Sequence, residues 1–123
     1  MILVDTSVWV DHLRQGDAAL AGLLNAGRVL AHPFVTGELA LGSLGQRAVV
    51  LGALEALPQA PLATHLEIMR FIDTHALYNL GVGYVDAHLL AATRLTPGAS
   101  LWTRDKRLAA VATRLNLATT EVV

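Results

Sequence analysis

A chain of 123 residues fits one compact domain, able to hide roughly two thirds of its unfolded surface, and leaves no room for a second. It has no cysteine, which excludes disulfides and thiolate metal centres. A net charge of −1 excludes the broad basic footprint of a general nucleic-acid binder but not a local cluster of cations.

The elements alternate between short apolar runs and helical patterns. Met1 to Val4 is a short apolar strand that ends at Asp5. Ser7 to Arg14 reads as a helix with Val8, Trp9 and Leu13 inward, and Ala18 to Ala26 as a second with Leu20, Leu23 and Leu24 at helical spacing. Gly27 breaks the pattern and Val29 to Ala31 gives a second strand. Pro33 suits a first helical turn, and that helix runs through Glu38 to about Leu41. Gln46 to Leu57 is a further helix closed by Pro58, and Gln59 to Leu62 a short strand. Thr64 caps a helix reaching about His75. Leu80 to Tyr84, with two glycines, is a loop, and Val85 to Leu95 a helix stopped by Pro97-Gly98. Ala99 to Trp102 is a strand, and Lys106 to Leu115 an amphipathic helix with Leu108, Val111, Ala112 and Leu115 on one face. Leu117 to Val123 adds a final strand. The alternation predicts a single α/β domain over residues 1–123, a three-layer α/β/α sandwich around a mostly parallel sheet. Sites in such sheets gather at the carboxyl ends of strands, where Asp5 and Asp105 fall.

The longest apolar run, Ala48 to Leu54, stops at Glu55, far short of the roughly 18 residues a membrane helix needs. The opening has no basic leader, and Asp5 and Asp11 interrupt it, so the expectation is a cytoplasmic protein. Hydrophobic residues make up 54% against 15% charged, a rich share for a lone domain that points to a homodimer or a protein partner.

Four acids carry the chemistry. Asp5 closes a buried strand, where a carboxylate is costly unless it meets a cation or donors. Glu38, the one acid between Asp17 and Glu55, sits in a helical pattern between Phe34 and Leu41 and is expected on its inward face. Asp86 opens a helix and Asp105 stands before another, so both have capping as the alternative reading, as has Asp5. Three acids at strand–helix junctions and one on a helix would suit Mg²⁺ or Mn²⁺, which prefer oxygen ligands, and hence metal-assisted phosphodiester hydrolysis. Thr6, Ser7 and Thr103 could support these carboxylates. Arg104, Lys106 and Arg107 flank Asp105 and could grip phosphates, with Arg14 and Arg94 as further contacts. The five histidines show no zinc spacing, Trp9 and Trp102 read as core, and no serine-hydrolase elbow or Walker loop is present.

The ordered set resembles the PIN-domain ribonucleases. Met1-Ile-Leu-Val-Asp5-Thr-Ser-Val-Trp-Val10 is similar to their opening, and Glu38 falls where they place a helical glutamate. Gly83-Tyr-Val-Asp86-Ala-His-Leu-Leu-Ala-Ala92 resembles the segment of the third acid, and Leu101-Trp-Thr-Arg-Asp105-Lys-Arg-Leu108 that of the fourth. The size resembles VapC-type toxins of toxin–antitoxin pairs. The resemblance implies that Asp5, Glu38, Asp86 and Asp105 hold one or two Mg²⁺ or Mn²⁺ ions and cut RNA to 5′-phosphate and 3′-hydroxyl ends. It also implies a homodimer silenced by a small antitoxin. A haloacid-dehalogenase-type phosphatase would need an Asp two residues after Asp5, where Ser7 stands. A non-catalytic binding module is the remaining alternative.

Overall fold

The computed structural model describes residues 1–122. Three parallel strands, β1 (Ile2–Val4), β2 (Val29–Leu30) and β3 (Ser100–Trp102), form one sheet in the order β2-β1-β3. Seven helices surround it: α1 (Thr6–Gln15), α2 (Ala18–Asn25), α3 (Pro33–Ala40), α4 (Arg47–Ala56), α5 (His65–His75), α6 (Tyr84–Leu95) and α7 (Lys106–Arg114). The chain steps one way from β1 to β2 and the other way from β2 to β3. Right-handed crossovers therefore send the connecting helices to opposite faces of the sheet, giving the expected α/β/α layering.

β1 is central, and Ile2, Leu3 and Val4 are wholly buried, which explains its unbroken apolar run. The same core takes Leu20, Leu89, Leu90, Leu101 and Leu108, together with Trp9 and Trp102. Local chemistry sets the helix starts. Asp17 accepts from Leu20 N at 2.9 Å, Pro33 opens α3, and Thr64 and Glu67 form a reciprocal capping box.

Some sequence expectations need correction. Residues 59–62 and 117–122 form no strands. Each contributes one isolated parallel bridge, Ala31 to Gln59 and Leu101 to Ala118, while Val123 lies outside the described residues. Leu13 is 37% exposed rather than inward, because the buried stripe of α1 stops at Val8 and Trp9. Among the described residues no helix is long and apolar enough to cross a membrane.

One core position is a fully buried histidine. His32 caps α3 through Nδ1, which accepts from Phe34 N at 3.0 Å, and its side chain has no exposed surface. Its Nε2 has no partner, and burial, with the nearby His88 adding to it, pushes its pKa down to about 4 from 6.5. The unfolded chain therefore takes up the His32 proton first as pH falls. Stability held above pH 6.5 is lost on the way down to about 4. The loss is up to about 3 kcal/mol from this residue. Denaturant titrations across that range should fall less steeply for His32→Asn, whose amide oxygen can still cap; parallel curves would refute the assignment.

Candidate active site

The pairing of β1 with β3 builds the site. Val4 lies opposite Trp102, and Asp5 N donates to Trp102 O at 2.9 Å, so Asp5 leaves its strand beside Thr103. Asp5 is 7% exposed. Its Oδ2 accepts from Ser7 Oγ at 2.7 Å, from Thr103 Oγ1 at 2.8 Å and from Ser7 N at 3.4 Å. A hydroxyl has one proton to give, so both donate to the carboxylate, and their mutual 3.3 Å contact is not a third bond. Each hydroxyl then accepts from the next loop: Arg104 N reaches Ser7 Oγ at 3.0 Å and Asp105 N reaches Thr103 Oγ1 at 3.1 Å. Ser7 and Thr103 thus lock Asp5 to the turn that carries Asp105.

The other acids are each held by a single donor among the described residues. Thr6 Oγ1 donates to Glu38 Oε1 at 2.8 Å, Gly83 N to Asp86 Oδ2 at 2.9 Å, and Leu108 N to Asp105 Oδ1 at 2.9 Å. The capping readings of Asp5, Asp86 and Asp105 are all realised. Yet each of the four carboxylates commits one oxygen to the protein. The second oxygen receives no donor from the described residues. No Lys or Arg among the described residues forms an ion pair with any of the four.

Asp86 registers the consequence. Half-burial raises its pKa above 3.8, the charges of Asp5 and Asp105 raise it further, and the Gly83 N–H opposes them. Three aspartates thus share one field with nothing positive between them. The donor set, hard oxygens left free on mutually repelling acids, fits a divalent cation such as Mg²⁺ or Mn²⁺. Among the described residues no three such side chains converge into a closed ligand set as they stand.

Two expectations about side chains change. Glu38 is exposed, not inward: the buried stripe of α3 is Val35 and Leu39, and Leu41, past the helix end, is 90% exposed. Its solvent-side position still reaches Thr6 next to Asp5. Arg104 is engaged by two acids of its own chain. Nη1 pairs with Asp11 Oδ2 at 2.6 Å and Nη2 with Asp17 Oδ2, while the guanidinium lies 5.6 Å from the Trp102 ring centre. Those partners are 93 and 87 residues away, so nothing local in the sequence announces them. Lys106 and Arg107 have no such partner among the described residues.

Residues 2–114 match the family described as the PIN domain. The chain belongs to the PIN-domain family. It is 50% identical over 123 residues to Ribonuclease VapC32 of Mycobacterium tuberculosis strain CDC 1551 / Oshkosh, covering 100% of this chain and 99% of the relative. The match to Ribonuclease VapC32 of strain H37Rv has the same identity and coverage. All four acids of this PIN domain lie within the matched residues. The sequence alone missed two features of it: the Asp11 and Asp17 clamp on Arg104, and Tyr84, 44% exposed two residues before Asp86 with its hydroxyl 2.8 Å from His65 Nδ1.

Proposed function

We propose that this PIN domain is a divalent-metal-dependent endoribonuclease and the toxin of a toxin–antitoxin pair. The observation that carries the reading is full-length identity of 50% to proteins named as ribonucleases. The four acids with one uncommitted oxygen each support it. Asp5, Glu38, Asp86 and Asp105 would hold one or two Mg²⁺ or Mn²⁺ ions through those free oxygens. A bound ion supplies Lewis acidity toward water and toward the phosphodiester oxygens.

The chain's own residues do the positioning. Ser7 and Thr103 fix Asp5 by donating to it, and Thr6 restrains Glu38, whose exposed position lets it serve substrate or water. Water adds to phosphorus, the bond to the 3′ oxygen breaks, and the products carry 5′-phosphate and 3′-hydroxyl ends. A cavity of about 440 Å³ opens beside Glu38 and Thr6 between Val10, Leu13, Arg14 and Val50, and supports a small antitoxin protein as the silencing partner. A homodimer is supported by the exposed Leu66 and Met69 on α5, and the cytoplasm is the compartment this reading proposes.

Purified protein with Mn²⁺ should cleave structured RNA, stop on chelation, and lose at least about 10-fold in rate as Glu38→Gln. Equal cleavage by the variant, or cleavage that survives chelation, would overturn the reading.

A further inference from the structure

A second groove runs along α7. Leu80, Lys106, Arg107, Ala110, Val111 and Arg114 line about 330 Å³ between α7 and the segment before α6. One wall runs back to Asp105, the residue before Lys106, and the other runs through Gly83 to Asp86. No carboxylate lines it. Lys106, Arg107 and Arg114 are exposed, and Arg107 and Arg114 stand two turns apart on one helical face, about 10 Å along the axis.

Arg107 lies against a glycine. Gly81 has φ +76°, and a Cβ there would fall 2.7 Å from Arg107 Cδ and 2.8 Å from Nη1. The guanidinium therefore lies close over the loop backbone, and a Cβ at position 81 would push it aside. Arg107 makes neither an ion pair nor a hydrogen bond to the described residues, in contrast to Arg104. At the far end Arg114 Nη2 donates only to a carbonyl, His75 O, at 2.7 Å and keeps its charge uncompensated. His75 registers this field: its pKa is lowered first by partial burial and then by the charges of Arg94 and Arg114.

We propose that this groove carries the sugar–phosphate backbone of an RNA strand running out of the carboxylate site, with Arg107 and Arg114 on successive parts of the strand. The proposal rests on the ribonuclease reading and names its substrate track. It reconciles a net charge of −1 with an RNA substrate, because the cations are concentrated where the strand must pass.

The test measures binding of a fluorescent mixed-sequence single-stranded RNA to Asp5→Asn protein across a salt series. Each lost phosphate contact lowers the slope of log affinity against log salt by about 0.7. Arg107→Gln and Arg114→Gln should each show that drop and bind about 3- to 10-fold more weakly at low salt. Gly81→Ala, which displaces Arg107 without removing its charge, should weaken binding likewise while its thermal transition remains cooperative. Arg28→Gln removes the same unit of charge from a residue paired with Glu121 and should leave the slope unchanged. Unchanged slopes in both groove arginine variants, or an equal drop in Arg28→Gln, overturn the groove. Cleavage by the wild-type protein, followed alongside, reports separately on the ribonuclease reading.

Discussion

Asp5→Asn should abolish RNA cleavage, by at least about 100-fold, while leaving the metal-free fold as stable as before or more so. Most substitutions of a buried, triply hydrogen-bonded residue destabilise. Here the amide oxygen can still accept from the Ser7 and Thr103 hydroxyls. The substitution also removes one of the charges that hold Asp86 above its ordinary value. The pKa of Asp86, read by titrating its carboxyl carbon in NMR, should therefore move down in the variant. A variant that lost activity because it unfolded, or an Asp86 that did not respond, would contradict the arrangement of the three aspartates.

Mn²⁺ at about 100 times its dissociation constant should stabilise the protein by about 2.7 kcal/mol. For a chain of this size that is about 10 °C in Tm. The gain should shrink in acid, and the sign follows from Asp86. Its folded pKa is raised, so the folded state keeps this proton longer than the unfolded one. The metal-free fold accordingly gives up stability as pH rises from 3.8 through the raised value. A cation reverses that cost only once the proton has gone. Scanning calorimetry with and without Mn²⁺ at several pH values checks both points. A Tm indifferent to Mn²⁺, or a shift that Asp5→Asn retains in full, would remove the carboxylates from the metal site.

The parts of this molecule that could be read from sequence are those set by neighbours in the chain. Thr64 with Glu67, Pro33, and the apolar run before Asp5 each act over a few residues, and the elements they mark lie within a residue or two of their expected places. The order of the four acids was visible for the same reason, since three of them stand where an element begins. What depends on distant partners was not visible. Glu38 looked inward because Phe34 and Leu41 flank it, but α3 ends at Ala40 and Leu41 turns outward. Arg104 was read as a phosphate contact beside Asp105, and nothing near it in sequence announced the two aspartates the fold brings to it. Residues 59–62 and 117–122 have strand-like composition, yet the sheet offers each of them only a single bridge.

The bond from Thr103 to Asp5 spans 98 residues. β1 leaves the ribosome first and must wait with both edges bare, taking β2 on one side early and β3 on the other only near the end of synthesis. Until then Asp5 lacks one of the two hydroxyls that fix it, and Asp105 has not been made. A chain interrupted anywhere before β3 therefore carries no assembled site. Topology alone thus keeps the four acids apart in every unfinished copy.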